Sequence, residues 1–218
     1  MLNIESVSKQ FGNQTLLDNT GFQINPGERI GLVARNGHGK TTLLNMISGQ
    51  DHPDEGSILY PSGYKLGFLS QKIIFSKSRI IDEAMIGLLD HEKDHYWKAE
   101  KILAGLGFSQ DDMTKSPEIF SGGFQVRLNL AKILVSEPDL LILDEPTAGM
   151  NPSETQAMMD FIQHLRDELG ITILLIEHQM RVVMGISETV TVLDYGKKIA
   201  EGTPDVIKSD PTVIEAYL

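Results

Sequence analysis

The stretch Ala34-Arg35-Asn36-Gly37-His38-Gly39-Lys40-Thr41-Thr42 gathers two glycines, a lysine and two hydroxyls in a row. That is the chemistry of a polyphosphate cradle. Phosphate oxygens need several backbone N–H donors aimed into one concavity, and side chains there would block the approach. Gly37 and Gly39 leave the backbone bare. A helix beginning at the end of the stretch adds its positive pole. The spacing follows G-x-x-x-x-G-K-[ST], with Ala34 in place of the first glycine. Asn36, Gly37, His38 and Gly39 are expected to line the cradle. Lys40 would reach the β- and γ-phosphates, Thr41 would place its hydroxyl on Mg²⁺, and Thr42 would meet the α/β end. If the chain needs a positive φ at Ala34, its Cβ costs roughly 1 kcal/mol.

A second constellation follows about a hundred residues later, where Leu140–Leu143 runs into Asp144-Glu145-Pro146. A parallel strand delivers functional groups at its C-terminal end, in the crevice where ligands sit. Asp144 would enter the Mg²⁺ shell. Glu145, on the other side of the pleat, would polarise an attacking water. Either stretch alone could be an ordinary turn; together each predicts the other.

The elements that must hold these residues are legible in outline. Leu2–Val7, Gly21–Ile24, Ser57–Leu59 and Lys65–Leu69 read as short strands broken by Gly12-Asn13, Asn25-Pro26-Gly27 and Pro61-Ser62-Gly63. Ile30–Val33 is a compact apolar strand before the cradle, and Thr41–Ile47 a helix after it. The stretch 82–135 changes to helical spacing. Asp90–Lys101 reads as a solvated, charged helix. Ser121-Gly122-Gly123 precedes an amphipathic helix with Phe124, Leu128, Ala131 and Val135 on one side. Strand and helix then alternate: Leu140–Leu143, Ser153–Leu169, Thr172–Ile176, Met180–Ile186. A hairpin of Thr189–Asp194 and Lys197–Glu201 turns at Tyr195-Gly196. Such βαβ alternation predicts a mostly parallel sheet with helices on its faces.

The chain has 218 residues, 19 basic and 30 acidic, for a net charge of −11. That balance argues against a general electrostatic grip on nucleic acid. Cysteine is absent, which removes disulfides, thiolate nucleophiles and cysteine-bound zinc. No apolar run reaches the length of a membrane helix, and no basic n-region marks a signal peptide.

With the two constellations in place, the whole chain resembles an ATP-binding cassette (ABC) ATPase. Gln71 resembles the family's Q-loop glutamine, and Phe120-Ser121-Gly122-Gly123 its signature. Ala148-Gly149-Met150-Asn151 lies where the D-loop follows Asp144-Glu145. His178 resembles the switch histidine, and Phe11 the aromatic that stacks on adenine. The resemblance implies an α/β fold: a P-loop NTPase (RecA-like) core with a small antiparallel β subdomain and an inserted helical subdomain. It implies one domain over 1–218, with 1–81 and 136–218 forming the core and 82–135 the helical part. It implies ATP and Mg²⁺, with Thr41, Gln71 and Asp144 around the metal. Glu145 would be general base, and His178 and Gln71 would contact the γ-phosphate, metal and water. It also implies an ATP-dependent head-to-tail homodimer, in which Ser121, Gly122 and Gly123 of one copy close on the ATP of the other. The signature departs from L-S-G-G-Q, with Phe120 for Leu, and Phe124 for Gln ahead of Gln125.

Residues 1–147 resemble an ABC-F class cassette, through phrases such as Gly31-Leu32-Val33-Ala34-Arg35-Asn36-Gly37 and Phe120–Leu128. Residues 148–218 resemble the ATPase subunit of branched-chain amino-acid importers, through Ile173–His178, Asp194–Pro204 and Val213–Leu218. A chimera joined near Thr147 is one reading, with poor coupling to importer permeases; a natural intermediate is the other. An importer subunit would be cytoplasmic, peripheral at the inner face of the plasma membrane beside permease subunits, with no membrane insertion of its own. A nucleotide-binding module with little turnover and a ribosome-acting factor complete the alternatives, the last opposed by the charge and by the absence of a linker.

Overall fold

The computed structural model describes residues 1–35, 39–69 and 73–217, with the side chains of all of these but 166–169. The chain opens on a long hairpin of β1 (Leu2–Phe11) and β2 (Gln14–Ile24), which β4 (Glu55–Leu59) joins in the order β2-β1-β4. This sheet is antiparallel throughout. In β1 the alternation of buried Leu2 and Ile4 slips at Ser6, whose φ is 49°. The resulting bulge returns Val7 to the buried face.

The larger sheet comprises β3 (Arg29–Ala34), β5 (Leu66–Leu69), β6 (Leu140–Asp144), β7 (Thr172–Glu177), β8 (Thr189–Asp194) and β9 (Lys197–Gly202). Their order is β5-β6-β7-β3-β8-β9. All neighbours are parallel except β8 and β9. The expected turn joins that last pair, with positive φ at Tyr195 and Gly196. Parallel strands are covered on both faces, which is why β6 and β7 are apolar runs rather than alternations. Leu141 and Leu143 pack on the helical side, and Leu140 and Ile142 on the side of the small sheet. The strand order reverses around β3, so the loops leaving β3, β6 and β7 meet at one edge.

The helices are α1 (Lys40–Ile47), α2 (Ile80–Met85), α3 (Tyr96–Gly105), α4 (Gly122–Leu134), α5 (Pro152–Leu169), α6 (Met180–Ile186), α7 (Pro204–Ser209) and α8 (Pro211–Tyr217). Helices α2, α3, α4 and α5 share one apolar cluster against the inner half of the sheet. Helix α4 is buried more widely than one amphipathic stripe, because Val126, Leu130 and Leu134 are covered as well as Leu128 and Ala131.

The solvated helix expected over Asp90–Lys101 forms only from Tyr96 onward and is partly buried. A short 3₁₀ turn spans Asp90–Glu92, and α3 starts only at Tyr96. Its Ala99 and Leu103 are fully buried. Lys98 is buried with them because Glu92 and Glu137 each lie 3.0 Å from its Nζ. A local charge pattern cannot show that Glu137, far along the chain, joins Glu92 at this lysine. The two C-terminal helices α7 and α8 were also not foreseen. They are short, each starts on a proline that suits a first helical turn, and they pack through Ile207 and Val213 on Val190 and Val192.

Candidate functional site

Strand β3 brings the chain to the phosphate loop in regular geometry. Ala34 is its last residue, fully buried and in register with Leu193 of β8. Its φ is not positive, so the strain expected of a Cβ there does not arise. Gly39 caps α1 at φ 83°, and a Cβ on it would lie 2.6 Å from the Leu16 carbonyl oxygen. Glycine is therefore required twice over. Among the described residues the first turn of α1 carries no acid and no side-chain cap, which suits an anion at the helix's positive pole. Lys40 is 8% exposed; Thr41 is exposed and Thr42 half-buried. Asn36, Gly37, His38 and Gln71 lie outside the described residues.

Two side chains converge on one oxygen of a third. Lys40 Nζ lies 2.7 Å from Glu145 Oε1, and His178 Nδ1 lies 3.2 Å from the same atom. They arrive from α1, from the end of β6 and from the end of β7. Glu145 does not continue the pleat of β6 as expected. Its φ is 47°, while its N–H still donates to Ile176 O at 2.9 Å. The left-handed turn takes it off the strand, a conformation that costs a non-glycine residue of the order of 1 kcal/mol. The ion pair with Lys40 helps to hold it there.

The two acids sit in opposite electrostatic conditions. Burial pushes the Asp144 carboxyl above its ordinary value, and the Glu145 carboxylate adds to this against the pull of Lys40. Burial also pushes Glu145 up, but the hydrogen bond and charge of Lys40, then His178, outweigh it and hold Glu145 below its ordinary value. The signs follow from proton linkage. Glu145 contributes stability that is present above the ordinary carboxylate range and lost as pH falls through its lowered pKa. Asp144 does the reverse, and its charge costs stability once pH rises above its raised pKa. Asp144→Asn is thus expected to raise the melting midpoint of the nucleotide-free protein by about 2–4 °C while abolishing turnover. Calorimetry at pH 7 beside a phosphate-release assay measures both, and a lower midpoint would refute the electrostatic account.

One participant was missed from the sequence. Glu177, the last residue of β7, is fully buried. Its carboxylate accepts from the Thr147 hydroxyl at 2.5 Å and from the backbone N–H of His178 at 3.2 Å. It links the turn after Glu145 to His178. An acid ending a buried strand beside His178 was the available signal, the same one that marked Asp144.

Ser121 caps α4 from an extended backbone and makes no side-chain bond to its own helix. A Cβ at Gly122 or Gly123 would meet nothing within 4 Å, and neither φ is positive. The packing of this chain therefore does not require glycine at either position. Phe124 turns inward, its ring centroid 5.2 Å from that of Phe108 and 6.1 Å from that of Phe120. Gln125 donates to the Phe120 carbonyl at 3.0 Å. Gly122 and Gln125 line a cleft of about 160 Å³ together with Asp144 and Glu145. Phe11 stands at the end of β1, 56% exposed, with Lys9 Nζ 5.6 Å from its ring centroid. A larger cleft of about 500 Å³, lined by Trp97, Ile102 and Leu165 among others, includes none of Gly39, Lys40, Asp144 and Glu145.

The family model described as ABC transporter matches residues 17–148, more than half the chain and the part that holds Lys40, Asp144 and Glu145. The chain belongs to the ABC transporter family. It is an ATP-binding cassette of the kind that hydrolyses ATP. A second model, described as branched-chain amino acid ATP-binding cassette transporter, matches residues 197–218 of this cassette. The cassette is 31% identical to the high-affinity branched-chain amino acid transport ATP-binding protein LivG of Escherichia coli K12, over 100% of this chain and 97% of that protein. It is 33% identical to the zinc import ATP-binding protein ZnuC of Jannaschia sp., over 97% and 86% of the two chains. Among solved structures it is similar to MJ1267, an ATP-binding cassette of an ABC transporter, with a TM-score of 0.88, 25% identity, and 100% and 98% coverage. The P-loop NTPase fold with its antiparallel sheet and helical layer is thereby shared with known cassettes.

Proposed function

We propose that this cassette is the ATP-hydrolysing subunit of an importer complex and works as an ATP-dependent head-to-tail homodimer. The observation that carries the reading is the convergence of Lys40 and His178 on Glu145 Oε1. A lysine, a carboxylate and an imidazole in contact form a group able to bind a γ-phosphate and accept a proton from water. Residues 36–42 hold the triphosphate, with Lys40 exchanging Glu145 for phosphate oxygens. Glu145 is the general base. His178 contacts the γ-phosphate, and Gln71 orients metal and water. The oxygen donors Thr41 and Asp144 suit Mg²⁺, a hard cation that keeps several waters and is held by few carboxylates; bound there it would neutralise charge developing on the phosphates. Phe11 stacks on the base. Ser121, Gly122 and Gly123 close on the ATP of the second copy, which gives a reason for glycines that their own chain does not require.

The domain division at 82–135 belongs to this reading, with the partner-facing signature at the start of α4, beside the end of β6. The full-length likeness to LivG and the match at 197–218 support an importer of branched-chain amino acids. The similar identity to ZnuC means that overall likeness alone does not define the cargo. Among the described residues no helix is long and apolar enough to cross a membrane, so the permeases supply the pore and the cassette sits at its inner face. The alternative, a chimera joined near Thr147, draws on the change from ABC-F-like to importer-like phrasing after that residue. Reconstitution with branched-chain amino-acid permeases in vesicles separates them. Permease-stimulated ATP turnover is expected, against the poor coupling that a chimera entails, and turnover unmoved by the permeases would sink the importer reading.

A further inference from the structure

The last helix reaches back to the phosphate loop. Tyr217, at the end of α8, packs beside Val33, Val192 and Val213, and its hydroxyl donates to the Leu193 carbonyl at 2.5 Å. Leu193 is the register partner of Ala34. The Arg35 guanidinium carbon lies 5.3 Å from the centroid of the Tyr217 ring, within cation–π range. Burial pushes the phenol up to about 12, so it remains a neutral donor at physiological pH. These contacts act on the end of β8 and on the first residue beyond β3, four positions before the Gly39 cap. Docking of α8 through Val213 alone would not need them.

We propose that Tyr217 is a positioning residue for ATP binding: α8 straps the entry of the phosphate loop to the end of β8 and so sets nucleotide affinity. The proposal rests on the reading that residues 36–42 hold the triphosphate. A cradle of backbone N–H groups binds well only if its donors are already aimed. A loop freed at its entry must be ordered by the ligand, and that cost appears in the binding constant. The cost falls on the binding step, so the chemical step is largely spared.

The test compares Tyr217→Ala, Tyr217→Phe, Arg35→Ala and Lys40→Ala in the full chain, using a non-hydrolysable ATP analogue, steady-state kinetics and thermal unfolding. Tyr217→Ala is expected to weaken analogue binding and raise KM by about tenfold, with kcat within about twofold. Tyr217→Phe keeps the ring over Arg35 and should fall between Tyr217→Ala and wild type. Arg35→Ala should weaken binding, and the Arg35→Ala/Tyr217→Ala double variant should lose less than the sum of the two, as coupled residues do. A lowered melting midpoint with unchanged binding and KM would overturn the strap and leave α8 a packing element. If Tyr217→Ala does not fold, Tyr217→Phe and Arg35→Ala decide on the same readouts. Binding lost in Lys40→Ala but unchanged in the Tyr217 and Arg35 variants rejects the strap alone. Binding unchanged in Lys40→Ala rejects the phosphate-loop reading itself.

Discussion

Replacing Glu145 by glutamine is expected to lower steady ATP turnover by roughly 10²- to 10⁴-fold, the range a general base contributes, without loss of ATP binding. The geometry gives both halves of the result. Glutamine keeps the shape of the side chain but cannot take a proton from water. It also withdraws the negative charge that now holds Lys40 at 2.7 Å. Lys40 is then free of its internal competitor, and ATP affinity should rise. ATP-bound dimers should accumulate because they form and do not hydrolyse. Phosphate release and size-exclusion chromatography in ATP measure the two effects on one sample. Turnover at the wild-type rate would remove Glu145 from the mechanism. Equal binding with no turnover in either protein would identify a nucleotide-binding module instead.

Lys40→Met is expected to fail in the opposite way. A charge-assisted hydrogen bond to phosphate is lost, so ATP affinity should fall by about 10- to 100-fold and turnover should drop to background. The variant should also lose about 1–3 kcal/mol of stability, because Glu145 keeps its charge with its lysine gone. The pH dependence distinguishes this from a packing defect. Lys40 holds the Glu145 carboxyl below its ordinary value, so the stabilisation it provides is present above the carboxylate range and fades as pH falls through it. The deficit of Lys40→Met should therefore be largest near neutrality and shrink in acid. Adding Glu145→Gln should restore much of the stability and none of the turnover. Urea unfolding of the single and double variants at two pH values checks this, and a pH-independent deficit would show that the ion pair contributes little.

Much of the fold was readable because its signals are local. The glycines and Lys40 after an apolar strand, the acids after Leu140–Leu143, and the turn at Tyr195-Gly196 each declare themselves within a few residues. Periodicity failed where burial depends on distant partners. Lys98 looks solvated until Glu92 and Glu137 are placed beside it. Phe124 looks like a changed ligand-binding position until its ring is seen against Phe108 and Phe120.

By itself the sequence determined the inventory of the site: a phosphate cradle, an acid pair, a histidine after a buried strand and a glycine-rich helix start, in the order of an ABC cassette. Only the tertiary structure decided who touches whom. Lys40 and Glu145 are 105 positions apart, and Thr147 and Glu177 are 30 apart. Their meeting follows from the strand order β6-β7-β3 and its register, which align the ends of three parallel strands at one edge. Strand order is set by packing both faces of a sheet at once. No local window of residues contains that information, and so the ion pair, the buried Glu177 and the Tyr217 strap appear only when the chain is folded.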